Sequence, residues 1–482
     1  MGNWFGNWRS VVGTPRPRRR CSHRPVLEAL EQRCLLDAGA GFVQTALVSD
    51  VPGLARHTDA NLINPWGIAP ESSGGFRVAI NGAGQAVAIN ASGAVTGQPV
   101  TLPPPLGSPP GTTSAPTGDV LNTTSDFVIS DDGRSAPATF LFATEDGTII
   151  GWNPKVDRTE GVLVADQSAV GPGAVYKGLA EGSTSSGNFL YATNFRNGTV
   201  DVFDTNFDLV NQFTDPSAPT GFAPFGIQNI GGTLFVTYAV QDAAKHDDVE
   251  GPGNGFIDEF DTSGHLIMRF ATGTTAGGTL KQLNSPWGMA VAPDGFGDFG
   301  GDLLVGNFGD SHVNVFDLKT GAFVDQLRDT SGNPLVLNGG FQGSDTKGLW
   351  GIFFGSGHGG SRADTLFFAA GINDESDGLF GTVTVAGKAH GGGAPHAKPA
   401  SAVTMPPGKA SGPNHVLTVQ PPSTSGLFEG HVATTGGSSG MAGHSVLSTD
   451  AIAGGSAGLV THFVPKKAQD ALFSAFDSGL LG

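Results

Sequence analysis

Through most of the chain the apolar residues come in short runs closed by Gly, Asn, Asp or Pro, and these runs recur in sets of four. The set beginning at Trp287 shows the pattern most plainly: "WGMAVAP", "GDLLVGNF", "HVNVFD", "AFVDQLRD". Runs this short, bounded by turn residues, predict β-strands rather than helices. A glycine opens each set, at Gly67, Gly118, Gly178, Gly226, Gly288 and Gly351. The period is roughly 50 to 60 residues, the length of a four-stranded propeller blade with loop insertions.

The other sets follow the same grammar. The first reads "WGIAP", "FRVAIN", "QAVAIN", "AVTGQPV"; the third "KGLAEG", "NFLYATNF", "TVDVFD", "LVNQF"; the fourth "FGIQNI", "TLFVTYAV", "GFIDEFD", "LIMRFA". In the second, either "GDVLN" or "DFVIS" can supply the inner strand before "TFLFAT", "TIIGWN" and "GVLVADQ". The sixth gives "WGIFFG", "DTLFFAAGI" and "LFGTVTV" and then lacks a fourth strand. "GFVQTALVSD" (41–50), just ahead of the first set, is placed to complete it and so to close the ring without an exposed edge. The predicted fold is all-β: a six-bladed β-propeller over residues 40–386, closed by an N-terminal strand. Extensions expected to be disordered flank it at both ends.

This fold gives the repeated Trp-Gly pairs a structural meaning. Glycine lets inner strands approach closely around a central channel, and Trp66, Trp287 and Trp350 are expected to fill wedge-shaped gaps between blades. The pairs Phe203-Asp204, Phe260-Asp261 and Phe316-Asp317 read as turn chemistry, with the Asp side chain capping backbone before the outer strand.

Composition agrees and narrows the function. Gly 75 and Pro 31 beside 14% charged residues suit many turns, and no stretch approaches the roughly 20 apolar residues of a membrane-spanning helix. The net charge is −17 although residues 1–33 carry seven Arg and two Glu. So acidic a body repels nucleic-acid phosphates, which removes nucleic acid from the partners. Both cysteines, Cys21 and Cys34, lie in the basic segment 1–39, so no disulfide can staple the propeller. That segment has the basic start of an export signal without its continuous apolar core.

Residues 387–482 form a Gly/Ala/Pro/Ser-rich tract that reads as a flexible tail. It holds His390, His396, His415, His431, His444 and His462, too scattered for a pre-formed metal site. Its end (466–481) can form one amphipathic helix through Ala471, Leu472, Phe476 and Leu480.

Two stretches of the chain resemble known families. "TDANLINPWGIA", "FATEDGTIIGWNP", "HDDVEGPGNGFIDEFD", "SPWGMAVAP", "GDLLVGNFGD" and "GLWGIFFG" are similar to uncharacterised bacterial secreted propellers related to NHL-type repeats, a likeness running from about 42 to 385. It implies the fold and brings no activity. "LEALEQRCLL" resembles the "LEPLEPRLLL"-type motif at the N-terminus of large exported and surface proteins of certain bacteria, with Ala29 and Gln32 in place of its prolines. That resemblance implies export, to an extracellular, periplasmic or cell-surface location.

In a four-stranded blade, the loop entering the inner strand and the loop between the second and third strands share one face. This places Asn64, Asn81, Glu145, Asp146, Asn194, Arg196, Asp242, His246, Asn307, Asp310, Lys347, Asn373 and Asp374 around one channel mouth. Asn and Asp also favour turns, yet a polar or acidic residue follows the second strand in all six sets, and converging oxygens suit Ca²⁺. By analogy with six-bladed lactonases, Glu145, Asn194, Asn307 and Asp374 form the candidate metal set, with His246 as general base. Asn64, Asn81, Asp146, Arg196, Lys347 and Asn373 are the candidate ligand-binding residues. An alternative calcium loop carries Asp242, Asp247, Asp248 and Glu250 ahead of Gly251, Gly253 and Gly255, without EF-hand spacing; the competing reading is a solvated, mobile loop.

No G-x-S-x-G elbow, H-E-x-x-H helix or phosphate-binding loop occurs. The expectation is an exported, monomeric, non-enzymatic propeller that presents its loop-rich face to a protein or glycan at the cell surface, with calcium as the candidate stabilising ion. The alternative is a metal-dependent, lactonase-like hydrolase or a lyase working at the channel mouth.

Overall fold

Each inner strand begins near a Trp-Gly, Phe-Gly, Thr-Gly or Lys-Gly pair and opens an antiparallel sheet. In the computed structural model, which describes residues 41–273, 281–338 and 347–387, these strands are Pro65–Pro70, Pro116–Leu121, Tyr176–Thr184, Phe222–Ile230, Pro286–Val291 and Leu349–Phe354. Three further strands follow outward in every sheet, giving six blades. A single 3₁₀ turn, Asn81–Ala83, is the helical content among the described residues. Expectations for residues 1–39 and 388–482, including both cysteines, the six tail histidines and the terminal helix, fall outside the described residues.

Burial follows position in the blade. Pro65–Pro70 is buried almost throughout, whereas the outermost strand of the third blade, Leu209–Phe213, is exposed except at its end. Neighbouring blades interlock through aromatic residues: Phe76 lies 4.5 Å from Phe367 and 6.0 Å from Phe380, sealing the first blade against the sixth. Tyr191, Phe213 and Phe260 do the same between the third and fourth.

The second blade resolves the choice left by its sequence. Pro116–Leu121, containing "GDVL", is the inner strand, and the "DFVIS" segment instead contributes to an inserted hairpin, Val128–Asp131 with Arg134–Pro137. Phe127 and Ile129 from this insertion are buried against the blade, which accounts for their strand-like appearance.

The sixth blade is completed as expected. Phe42–Ser49 pairs antiparallel with Asp377–Val385, from Phe42 opposite Val385 to Ser49 opposite Leu379. Side chains lock the junction: Ser49 Oγ donates to the Gly378 carbonyl at 2.6 Å, and the Gly378 amide donates to Asp50 Oδ1 at 2.8 Å. The short strand His57–Thr58 adds a parallel fifth strand outside.

The six opening glycines form a second ring. A Cβ built on any of them would lie 3.0 Å or less from a backbone atom of the next inner strand: Gly67 meets Thr117, Gly118 meets Leu179, and so on to Gly351, which meets Trp66. A β-carbon at these positions forces blades apart, so glycine here is a packing requirement.

The tryptophans differ from expectation. In all six blades the pairing of first and second strands shifts register across the residue-Gly pair. Such bulges re-aim side chains, and Trp66, Trp287 and Trp350 gather in one cluster with Phe195, Phe225 and Phe308 at the centre of the ring instead of filling separate gaps between blades. The Phe-Asp turns are as read: Asp204, Asp261 and Asp317 each accept two backbone amides through Oδ1.

Candidate functional site

The residue before each ring glycine decides what occupies the channel. Four blades place an aromatic residue there, Trp66, Phe225, Trp287 and Trp350; the second and third place Thr117 and Lys177. Trp66 stacks on Trp350 with ring centroids 3.4 Å apart, and Trp287 meets both edge-on at 5.9 and 5.8 Å. Phe308 stacks on Trp350 from the other direction at 4.2 Å. The plug is fixed by hydrogen bonds: Trp350 Nε1 donates to Asn64 Oδ1 at 3.0 Å, and Trp287 Nε1 donates to the Lys177 carbonyl at 3.1 Å.

Lys177 lies against this aromatic plug, 1% exposed, with its ammonium 5.2 Å from the Trp66 ring and 5.9 Å from Phe195. A buried ammonium needs counter-charge, and two carboxylates supply it. Nζ pairs with Glu145 Oε1 in a short contact and with Asp247 Oδ1 at 3.3 Å. Glu145 Oε2 accepts from Asn81 Nδ2 at 2.9 Å, and Asn81 Oδ1 lies 3.5 Å from Asn64 Nδ2, which donates to Glu375 Oε2 at 2.7 Å. On the other side Asp247 Oδ1 meets His246 Nδ1 at 2.9 Å. One polar chain, Glu375–Asn64–Asn81–Glu145–Lys177–Asp247–His246, therefore joins the sixth, first, second, third and fourth blades.

Burial and neighbours set the protonation of this chain. Burial alone would lower Lys177, but Glu145 and Asp247 more than offset it and hold the ammonium above its ordinary value. Burial pushes Glu375 up to about 7, helped by the nearby charges of Glu145 and Asp248 and opposed by the Asn64 hydrogen bond. Asp248 is pushed to about 6, again chiefly by burial. The hydrogen bond with Asp247 raises His246, and the same bond pulls Asp247 below the usual carboxylate range.

The sequence-predicted residues divide into those inside this chain and those with other partners. Asn64, Asn81, Glu145, His246 and Asp247 are brought together. Asn194 instead donates to Asp201 Oδ2 at 2.9 Å, Asn307 to the Gln282 carbonyl at 2.6 Å and Asp310 Oδ1 at 3.1 Å, and Asp374 pairs with Lys347 at 2.9 Å. Lys347 also reaches Glu250 at 3.1 Å. Asp146 accepts the Ala115 amide, Arg196 donates to the Pro172 carbonyl, Asn373 donates to Ser376 and Asp377, and Asp242 Oδ1 accepts the His246 amide within its own loop. The alternative calcium loop is divided in the same way: Asp247 turns to Lys177, Asp248 is half-buried and hydrogen-bonds Ser285, and Glu250 turns to Lys347.

Two central residues escaped the sequence reading, Lys177 and Glu375. Lys177 was visible in principle as the one charged residue in the place that four blades fill with an aromatic ring. Glu375 follows Asn373 and Asp374, and all three adopt left-handed backbone with φ of 56°, 54° and 63°. This uncommon run of non-glycine residues turns Glu375, one position past the expected Asp374, toward Asn64.

No protein-family model matches the chain. Among solved structures it is similar to a virginiamycin B lyase from Staphylococcus aureus, with TM-score 0.40 and 16% identity over 71% of this chain and 99% of that one. A gluconolactonase from Xanthomonas campestris gives TM-score 0.40 and 12% identity over 67% and 88%. In sequence it matches uncharacterized protein R648 of Acanthamoeba polyphaga mimivirus, 31% identical over 349 residues, which are 70% of this chain and 78% of that protein. Uncharacterized protein L690 of the same virus is 32% identical over 345 residues, 70% of this chain and 84% of L690. At this identity and with more than two thirds of each viral protein covered, this chain belongs to the family of R648 and L690.

Proposed function

We propose that the protein is an exported, non-enzymatic binding module whose polar channel mouth receives a protein or glycan, and that Lys177 rather than a calcium ion organises the acidic residues there. One observation carries this reading: the ammonium of Lys177 sits between Glu145 and Asp247. Glu145, His246 and Asp247 are the described acidic and histidine side chains whose donor atoms converge within 4.8 Å, and the lysine already supplies the positive charge that a divalent ion would bring to them. A raised lysine stays charged at neutral pH, so the residues present fit an internal ammonium and not a hard divalent cation.

Exposed polar side chains at this mouth support binding: Asp247, Glu250 and Asp374 are exposed beside Lys177 and Lys347, and carboxylates next to ammonium groups suit the hydroxyls and amides of a glycan or peptide. Export is supported by the "LEALEQRCLL" segment, and the N-terminal mass of the secreted protein tests it.

The full-length protein screened on glycan and peptide arrays should bind a defined class. Asp247→Ala and Lys347→Ala should each weaken that binding, and a panel of lactones and esters should show no turnover with or without calcium. Reproducible metal-dependent hydrolysis overturns the reading. One observation favours a second reading as a hydrolase or lyase: Glu375, raised to about 7, shares a hydrogen-bonded chain with the fixed cation Lys177, an arrangement suited to proton transfer beside a stabilised anion. Turnover that Glu375→Gln abolishes while the fold is retained would establish it.

A further inference from the structure

Beyond the ring glycine the inner strands stop being alike. Two positions on, Ala69, Val120, Ala180, Ala290 and Phe353 are apolar, and the fourth blade has Gln228. Three positions on, Pro70, Leu121, Val291 and Phe354 are apolar, and the third and fourth blades have Glu181 and Asn229. The polar exceptions fall on two neighbouring blades. Closure of six blades sets the third across the ring from the sixth and the fourth across from the first. The other blades show that apolar side chains fit both positions, so packing alone does not call for polar ones here.

Glu181 and Gln228 border a cavity of about 530 Å³ that begins at the glycine ring and continues away from the Lys177 mouth. Ser183 and Gly232 lie exposed at its rim, giving entry from the face opposite the mouth. Ile68, Ile352 and Phe353 form an apolar wall from the first and sixth blades, and the half-buried Glu181 and Gln228 form a polar wall across from it. Asn229 is already engaged: its Nδ2 donates to the Glu181 carbonyl at 2.8 Å and its Oδ1 accepts the Gly232 amide at 3.0 Å, which ties the two blades together at this wall. The other two are less committed. The Glu181 carboxylate accepts the Thr123 amide at 3.4 Å, and the Gln228 carboxamide makes no hydrogen bond among the described residues. Burial raises the Glu181 carboxyl against the Thr123 bond, the mark of a carboxylate short of donors. Asp119 also borders the cavity, but its carboxylate is turned to the backbone of the first blade at Gly67 and Ala69. No Lys, Arg or His is among the described residues lining this space.

We propose that this cavity binds a neutral mono- or disaccharide, its hydroxyls held by Glu181 and Gln228 and a C–H face laid on the apolar wall opposite. A carboxylate accepts from hydroxyls, and a carboxamide both donates to and accepts from them. A sugar ring carries hydroxyls at its edge and C–H groups on its faces, which matches one polar wall facing one apolar wall. An anion meets a carboxylate and no cation, and a wholly apolar compound strips water from Glu181 and Gln228 without replacing its hydrogen bonds. The volume is that of a small-molecule pocket. The site opens on the face opposite the channel mouth and does not depend on the function proposed there.

Calorimetric titration of the full chain with cellobiose, maltose and diacetylchitobiose, beside glucuronate and cyclohexanol, tests this. Saturable one-to-one binding of at least one disaccharide is expected, with neither control bound. Gln228→Ala installs the residue that three other blades carry at this position, and Glu181→Leu the residue of the second blade. Both should fold with unaltered thermal midpoints and weaken disaccharide binding at least about tenfold, the loss of one or two hydrogen bonds. Asp247→Ala, at the mouth, should leave that affinity unchanged, which separates this site from the one proposed there. Absence of saturable disaccharide binding at millimolar concentrations, glucuronate bound as tightly, unchanged affinity in Gln228→Ala and Glu181→Leu, or loss of binding in Asp247→Ala overturns the proposal.

Discussion

Replacing Leu47 by Ala tests whether the ring is held shut by its N-terminal strand. Leu47 is 3% exposed and packs with Val48, Phe76, Phe367 and Phe380 where the sixth blade meets the first. A Leu→Ala change at so enclosed a site costs about 2–5 kcal/mol, through lost transfer energy and the cavity left behind. Burying Phe42, Leu47 and Val48 together contributes roughly 5–9 kcal/mol at about 1.5–3 per side chain, a figure comparable with the roughly 5–15 kcal/mol that separates folded from unfolded states in most domains. Val43, in the same strand but 44% exposed, is the internal control, and Val43→Ala should change stability by less than about 0.5 kcal/mol. Denaturant unfolding followed by tryptophan fluorescence measures both, because the tryptophan plug lies inside the ring. Leu47→Ala should lower the midpoint clearly, and deletion of 41–50 should produce aggregates in size-exclusion chromatography. Equal midpoints for Leu47→Ala, Val43→Ala and the unaltered protein would show that the strand does not close the ring.

Two further outcomes follow from the polar chain. Lys177→Met leaves Glu145 buried without its counter-charge and should destabilise the protein by about 3–5 kcal/mol; adding Glu145→Gln should recover a substantial part, a coupling that a double-mutant cycle measures. Glu375 and Asp248, raised to about 7 and 6, hold their protons more tightly folded than unfolded. Their stabilisation is therefore complete at the acid end and is lost as pH rises from the ordinary carboxylate range through about 6 to 7. Raised His246 acts in the same direction. Thermal midpoints should fall between about pH 5 and pH 7.5, and Glu375→Gln should flatten the upper part of that decline.

The fold was legible because its signals are local and repeated. The glycine of each inner strand, the four short apolar runs and the missing strand of the sixth set all follow from backbone crowding and edge closure, and each can be seen without three-dimensional information. The site was legible only as a face. Which polar residues converge depends on features that spacing does not encode: the register shift at each residue-Gly pair that turns Lys177 toward the ring centre, and the left-handed run Asn373, Asp374, Glu375 that exchanges the expected acid for its neighbour. Asn194 and Asn307 belong to the right positions of their blades, but local partners, Asp201 and Asp310, take up their amides. At the channel the informative residue is an exception, a lysine in the place that four blades fill with an aromatic ring. It stands out only once the blades are aligned on the ring glycine.

The most direct test of Lys177 as the mouth's resident cation is elemental analysis of the full-length protein after exhaustive dialysis and re-equilibration with calcium, beside Lys177→Met treated alike. The unaltered protein should retain no stoichiometric divalent ion, while the variant, with Glu145, His246 and Asp247 left to converge on an uncompensated site, should take one up and gain thermal stability from it. A stoichiometric ion in the unaltered protein that Glu145→Gln removes would contradict the account.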